Sequence, residues 1–343
     1  MVSPYPIRTS RLTVRIMRVA DVEVFSAYRN DPDVARHQLW DLPYTLDRAR
    51  ADLAEQDERD DLAPGEWTQL AVERDGEVIG DVCCHLDPTG SVAEIGFTLA
   101  TPFQGNGFAT EAARALADDL VERLGVVRLF GELDPVNVAS QRVLENLGLT
   151  FESHTRLSFL WRGEWTDNMS YGATAEQYRD WRDRPLSRPD DVRLVTLTAE
   201  NHLPYRRLAT HHSQRRFVAP MLDSFTDALF PELLDGAPLQ PVMWGIEADG
   251  EAAGFMMIAD VTPAHPLPYL WRLLIDRRHQ RRGIGRRAVD ELIARMRSAG
   301  HPGLLVSWVE GLGSPAPFYR RRGFEPTGRI VDGETEARLS LTP

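Results

Sequence analysis

The sequence carries one layout twice. That repetition constrains the fold more than any single motif, because an internal repeat decides the architecture before any element is placed. In the first half Glu94-Ile-Gly-Phe-Thr-Leu99 leads into Gln104-Gly-Asn-Gly-Phe-Ala109; in the second, Leu270-Trp-Arg-Leu-Leu-Ile275 leads into Gln280-Arg-Arg-Gly-Ile-Gly285. The two glutamines are 176 residues apart. Further on, Val143-Leu-Glu-Asn-Leu-Gly-Leu149 is answered by Phe318-Tyr-Arg-Arg-Arg-Gly-Phe324 at a separation of 175. Two motifs sharing nearly one spacing indicate a tandem duplication. The 343 residues then divide into two domains of ordinary size, about 100–200 residues each. The expected boundaries are 1–177 for the first domain, 178–189 for a charged, proline-containing linker, and 190–343 for the second.

Periodicity fills in each half. The first reads as a strand over Leu12–Met17, a helix capped by Asp21 and running to Tyr28, and a second helical stretch from Thr45 to Asp61. Strands at Thr68–Glu73 and Val78–Leu86 follow, joined by the hairpin signal Asp75-Gly76. Then come the Glu94–Leu99 strand, the glycine loop, a helix over Thr110–Leu124, a strand over Val127–Leu133, a helix over Ser140–Leu147, and closing strands at Leu157–Trp161 and Asn168–Ala173. The second half repeats the order, with helices expected between Glu200 and Leu234 and a second hairpin signal at Asp249-Gly250. Its expected elements after the loop are a helix over Gly285–Ser298, a strand over Leu304–Trp308, a helix over Pro317–Arg322 and a strand over Ala337–Leu341. The fold class is α/β (α+β).

Charge narrows the function. Residues 1–184 hold 32 Asp and Glu against 19 Arg, and residues 185–343 hold 19 against 20, which splits the net −12 into −13 and +1. Neither half is basic enough to suggest nucleic acid as a partner. All 39 basic residues are arginine, which coding bias explains most simply. Nothing approaches the roughly 18 uncharged apolar residues of a membrane helix, and Met1–Ser10 has no leader-like apolar core, so a cytoplasmic location and no membrane partner are expected. The adjacent Cys83 and Cys84 suit neither a disulfide framework nor a spaced metal site, and no metal is expected. On a strand the two side chains point to opposite faces. His211-His212 lack metal spacing and read better as a solvated or packed pair than as pocket lining.

A strand running through a short glycine loop into a helix aims several backbone N–H groups at one spot. A helix N-terminus adds partial positive charge, so that spot suits phosphate. Neither loop has the Gly-Lys-Ser/Thr of a triphosphatase or the longer dinucleotide fingerprint.

Gln104-Gly-Asn-Gly-Phe-Ala109 and Gln280-Arg-Arg-Gly-Ile-Gly285 resemble the Gln/Arg-x-x-Gly-x-Gly/Ala signature of the GNAT acyltransferase superfamily, and the resemblance spans essentially the whole chain. It implies two tandem GNAT folds, each a mixed, mostly antiparallel sheet with a central splayed parallel strand pair flanked by helices. It also implies acetyl coenzyme A as co-substrate, its pyrophosphate on Gln104, Gly105, Asn106, Gly107, Phe108 and Ala109 in one half and on Gln280, Arg281, Arg282, Gly283, Ile284 and Gly285 in the other. Arg281 and Arg282 are expected to hold phosphates, whereas the first loop relies on backbone donors. The first half is similar to the Rim-type N-terminal acetyltransferases, where Asn137 would touch the cofactor and Ser140 support the departing thiolate; both residues also suit helix capping. The second half, through Gln214–Pro220, Gly313–Tyr319 and Pro326–Gly328, is similar to the diamine and polyamine acetyltransferases, although Met221 stands where that branch often has Asn.

The resemblance places Tyr319 as general acid in the second half, where the first half has Leu144. Candidate bases are Glu94 in the first half, through a water, and Asp276 or Asp260 in the second, each more readily read as an ordinary solvated charge or ion pair. Trp161 and Trp165 flank a hairpin at Arg162-Gly163-Glu164 and read as rim packing rather than a substrate cage. The expected reaction is transfer of acetyl to a primary amine on a small cationic molecule such as a polyamine or aminoglycoside. An acidic stretch of seven carboxylates from Asp47 to Asp61 would concentrate such a cation. The alternatives are a protein N-terminal acetyltransferase with one structural or regulatory half, and a non-catalytic acetyl coenzyme A sensor. A homodimer is compatible with the sequence.

Overall fold

Short apolar runs bounded by turn residues dominate each half, and in the computed structural model, which describes residues 4–342, they form two sheets. The chain divides into two units between Asp183 and Arg184.

Unit one contains β1 (Ile7–Arg8), β2 (Thr13–Ile16), β3 (Trp67–Arg74), β4 (Glu77–Leu86), β5 (Val92–Leu99), β6 (Arg128–Leu133), β7 (Thr150–Trp161) and β8 (Glu164–Thr174). Their order is β1-β2-β3-β4-β5-β6-β8-β7. Only β5 and β6 run parallel, and they pair over just three rungs, Val92–Arg128, Ala93–Leu129 and Glu94–Phe130, before parting. On one face lies α4 (Phe108–Asp118), whose Ala112, Ala113, Leu116 and Ala117 recur at helical spacing and are buried against Ile95 and Leu129. Each such leucine contributes about 1.5–3 kcal/mol by leaving water. On the other face α1 (Val22–Arg29), the short α2 (Pro32–Ala35) and α3 (Leu46–Ala54) enclose Phe25, Tyr28, Tyr44 and Leu53. α5 (Val138–Leu147) and α6 (Ala175–Arg182) complete the unit.

Unit two contains β9 (Val192–Thr196), a small hairpin of β10 (Leu233–Leu234) and β11 (Ala237–Pro238), then β12 (Gln240–Ala248), β13 (Glu251–Asp260), β14 (Tyr269–Ile275), β15 (Gly303–Trp308), β16 (Glu325–Val331) and β17 (Glu334–Ser340). The order β16-β17-β15-β14-β13-β12-β9 reproduces β7-β8-β6-β5-β4-β3-β2 strand for strand. β14 and β15 are its parallel pair, joined only at Tyr269–Leu305 and Leu270–Val306. α8 (Ile284–Ser298) covers one face, α7 (Met221–Leu229) the other, and α9 (Ala316–Arg320) precedes β16. Both expected hairpins form, with Asp75-Gly76 and Asp249-Gly250 left-handed at both central positions as a type I′ turn requires.

Several expectations are corrected. The helix from Thr45 ends at Ala54, because the buried Gln56 turns its amide onto the backbones of Met17 and Gln69 and pins the following segment to β3. Asp21 precedes α1 without capping it; its carboxylate accepts from Arg15 and the Arg18 backbone. The first five residues of the expected linker are helical: Tyr178 and Trp181 of α6 are buried, and Trp181 lies so close to Gly148 that a Cβ there would sit 2.3 Å from its ring. Between Glu200 and Leu234 only α7 is a full helix. β16 gave no strand signal because nearly every residue is exposed and Pro326 and Gly328 interrupt it. Among the described residues, no helix is long and apolar enough to cross a membrane.

Candidate active site

The two loops are built alike. Gln104 donates its amide to the carbonyl of Leu99 and Gln280 to that of Ile275, each closing the end of its strand. Gly107 and Gly283 then precede α4 and α8 in the left-handed conformation, φ +79° and +81°. This aims the unpaired N–H groups of each helix's first turn outward, with the positive end of the dipole. Phe108 and Ile284 are buried anchors, and small residues follow because a Cβ at Gly285 would lie 3.3 Å from Ile275. Asn106 donates to the carbonyls of Phe103 and Gln104, holding the first loop's shape. Gly105 has φ +76° and its counterpart Arg281 φ +63°, a conformation that costs a non-glycine residue roughly 1–2 kcal/mol. The geometry of both loops fits a pyrophosphate.

Their flanks differ from expectation. Arg282 is buried, with Nε donating to the Ser187 carbonyl at 2.8 Å and Nη1 against His279 Nδ1 at 2.9 Å. It ties the start of unit two to the loop and is not a phosphate ligand; Arg281 and Arg286 line the cleft instead. In unit one two arginines stand beside the loop, both engaged within the protein. Arg11 binds the Asn106 carbonyl and Glu111, and Arg11 and Arg74 lie over the Phe108 ring at 4.6 and 5.1 Å. Both are distant from the loop in sequence, which hid them.

Strand alternation sorts the side chains of unit one. Ala93 and Ile95 face α4, so Glu94 points to the opposite face, into a cavity of about 440 Å³. Its lining includes Glu94, Glu132, Asp134 and Asp167, with Trp40, Trp67, Trp161, Phe97 and Phe159. Arg48 and Asp52 pair at 2.9 Å, and the buried Arg29 faces Asp81 at 3.8 Å, so the two arginines of the wall are neutralised. His37 binds Asp134 at 3.0 Å and His154 binds Asp167 at 2.7 Å. Burial, and then the charge of Glu132, push the Glu94 carboxyl up to about 7. Glu132 itself accepts from Asn168 at 2.9 Å. The acidic lining therefore comes from Glu94 of β5, Glu132 of β6, Asp134 just after it and Asp167 of β8. The Asp47–Asp61 stretch contributes only Asp52; Asp57, Asp60 and Asp61 are held by Arg18, the Val19 backbone and Arg123. Trp161 is part of the wall, its indole N–H on the Gln38 carbonyl, whereas Trp165 is exposed. Cys83 lines this cavity and Cys84 lies in the core behind it.

In α5 the cap is Asn137, whose Oδ1 accepts the Ser140 N–H at 3.1 Å, and Ser140 stands third in the helix. Leu144 is buried in the unit-one core.

Unit two has a cavity of about 1000 Å³ that runs from the Gln280–Gly285 loop past Tyr319 to Ser307 and Glu334. Tyr319 is buried, stacked on Trp308 at 5.9 Å and edge-on to Phe318 and Phe324. Burial, with Tyr269 and Glu334 nearby, raises its phenol above the usual range, so it stays protonated. Asp276 is not a base: Oδ1 accepts the Arg278 N–H and Oδ2 the Ala209 N–H, both at 2.9 Å, and it lies outside the cavity lining. Asp260 likewise accepts the Val261 N–H and is not in the lining. His211 is pushed down to about 4 by burial and by Arg277, Arg281 and Arg184.

Both halves of the chain match known families. Residues 11–150 match the family described as "Acetyltransferase (GNAT) domain" and residues 207–324 the one described as "Acetyltransferase (GNAT) family". A relative from Bacillus licheniformis, "Uncharacterized N-acetyltransferase p20", is 29% identical over 150 residues, 43% of this chain and 84% of the relative. Among solved structures, a GNAT-family acetyltransferase from Bacillus anthracis is 22% identical with a TM-score of 0.46, over 50% of this chain and 99% of the other. Mycobacterium smegmatis RimJ in complex with CoA-disulfide is 21% identical with a TM-score of 0.43, over 48% of this chain and 83% of the other.

Proposed function

Because the chain belongs to the GNAT acetyltransferases, as two such domains in tandem, we infer that it transfers acetyl from acetyl coenzyme A to a primary amine of a small cationic molecule, with the unit-one cavity as the acceptor site. GNAT acetyltransferases use acetyl coenzyme A. The observation that carries the reading is Glu94: a carboxylate on the acceptor face, at the rung where β5 and β6 part, pushed up to about 7. A base of that strength holds a proton near neutral pH without being permanently charged, as proton abstraction from an ammonium or an attacking amine requires.

The thioester of acetyl coenzyme A supplies the acetyl group, and its pyrophosphate suits the N-terminus of α4 flanked by Arg11 and Arg74. Beyond Glu94, β5 N–H groups have no β6 partner, leaving donors for a carbonyl oxygen as charge develops on it. Glu94 takes the amine proton; Glu132, Asp134 and Asp167 offset the positive charge of the acceptor; the tryptophan and phenylalanine walls hold its alkyl or ring body. The charge argument favours unit one over unit two, where arginines occupy seven lining positions against Asp223 and Glu334.

The test is coenzyme A thiol release with spermidine, kanamycin and tyramine against peptides beginning Ser, Ala or Thr. Turnover of the cationic amines is expected, with the unit-one share of it reduced roughly 100-fold by Glu94→Gln. Preference for peptides would transfer the site to the N-terminal acetyltransferase reading, and no release from any acceptor would overturn the enzymatic one.

A further inference from the structure

Strand register puts three residues of unit two where unit one has Glu94, Glu132 and Asn168. Glu94 stands opposite His85 and Phe130; Tyr269 stands opposite Ala259 and Leu305 in the corresponding strands. Glu132 stands opposite Ser170, and Ser307 opposite Glu336. Asn168 and Glu334 each precede those partners by two residues, on the same face of β8 and β17. The counterparts are therefore Tyr269, Ser307 and Glu334. Unit one has two carboxylates on the parallel pair and an amide on the next strand. Unit two has two hydroxyls on the parallel pair and the carboxylate on the next strand.

The three are joined. Ser307 donates its hydroxyl to Glu334, so the 2.6 Å bond between Tyr269 and Ser307 has the tyrosine as donor. One lone pair of Ser307 Oγ remains. Ser307, Glu334 and Tyr319 line one cavity, and they approach it from opposite sides: Tyr319 packs with α8 and Trp308, whereas Tyr269 packs with the α7 cluster. A proton acceptor on one side of a splayed strand pair and a proton donor on the other is the arrangement acyl transfer to an amine needs.

We propose that unit two is a second acetyl-transfer site in which Ser307 accepts the amine proton and Glu334 is the positioning residue that takes the serine proton on. The proposal rests on the family reading above. In this step the amine nitrogen bonds to the acetyl carbon and the carbon–sulfur bond of acetyl coenzyme A breaks. An amine N–H proton moves to Ser307 Oγ as the serine proton passes to Glu334. The departing thiolate takes the Tyr319 proton, and solvent returns one proton from Glu334 to the tyrosinate. Charge and atoms balance without any further reactant. Tyr269 from β14, Tyr319 from α9 and Glu232 before β10 interact with Glu334, and Arg272, which pairs with Asp227 and Glu232, lines the same cavity.

The experiment uses the full chain with unit one silenced by Glu94→Gln, acetyl coenzyme A, and the same amines and peptides. Residual coenzyme A release is expected. Adding Glu334→Gln lowers its kcat roughly 100-fold with KM for acetyl coenzyme A unchanged. Glu334→Asp restores part of the rate, and Ser307→Ala repeats the loss. Calorimetric binding of two acetyl coenzyme A molecules per chain by each variant shows that unit two is folded. Full rate in Glu334→Gln overturns the relay, and loss of all release in Glu94→Gln alone overturns the second site. A Glu94→Gln chain with undiminished total rate overturns the unit-one reading and leaves this one standing.

Discussion

Glu94→Gln should make the protein more stable as well as less active, and the two effects have one cause. In the unfolded chain this carboxyl titrates near 4.5, and in the fold burial and Glu132 push it up to about 7. The folded state therefore binds the proton more tightly than the unfolded state, so stability falls as pH rises from about 4.5 to about 7 and is level above that. A shift of that size corresponds to at most about 3 kcal/mol at about 1.4 kcal/mol per unit, and solvent reaching this half-buried side chain reduces it to roughly 1–2 kcal/mol. Glutamine keeps the shape and carries no charge to desolvate. Urea unfolding of both proteins between pH 5 and pH 8 should show the variant gaining on the wild type as pH rises, while its kcat falls roughly 100-fold at every pH where the carboxylate is charged. A stability difference that does not change with pH would refute the reasoning, because the carboxylate would then be as comfortable in the fold as in water.

Tyr319→Phe, in the Glu94→Gln background, should lower kcat roughly 10- to 1000-fold while leaving the melting temperature unchanged, since the ring keeps its packing on Trp308 and Phe324 and only the proton donor is lost. Arg282→Ala should destabilise unit two by about 1–3 kcal/mol through the orphaned Ser187 carbonyl, with acetyl coenzyme A affinity by calorimetry nearly unchanged; a large affinity loss would restore it as a phosphate ligand. Gly148→Ala combines a left-handed φ of +93° with a clash against Trp181 and should cost at least about 2 kcal/mol in denaturant unfolding, whereas a neutral effect would detach α6 from unit one.

The repeat, the glycine loops and the parallel pair were legible because they depend on spacing and on glycine, both written in the sequence. Gln104 and Gln280, Gly107 and Gly283, and Gly148 and Gly323 play the same parts at offsets of 176, 176 and 175, with left-handed backbone at each of these glycines. The candidate site side chains were harder because their correspondence is offset by one residue. β14 carries a bulge where Met257–Arg272 is followed by Ile258–Leu270, leaving Trp271 extra. Counting 176 residues from Glu94 lands on Leu270, a core residue; only the register shows that Tyr269 occupies the place. Unit one then has its own extra residue. Gly107 to Gly125 is one residue longer than Gly283 to Gly300, and the excess is taken up by a π turn over Asp119–Arg123 that continues α4. These two insertions, one in each unit, account for the change of offset from 175 at Glu94 to 176 at the loop and back to 175 at Leu144 and Tyr319. A single residue inserted in a strand moves every later side chain to the other face unless a bulge absorbs it. Given the extra residue, the bulge at Trp271 is what keeps Tyr269 on the same face as Ser307 while the Gln280–Gly285 loop remains in place. It follows that deleting Trp271 should restore in β14 the regular alternation that β5 has, with Tyr269 and Leu270 on their present faces and the hydrogen bond to Ser307 intact. Unit two should then keep its acetyl coenzyme A affinity while losing about 3–5 kcal/mol of stability with the buried indole, and an exchange of the Tyr269 and Leu270 faces would refute the assignment of Trp271 as the extra residue.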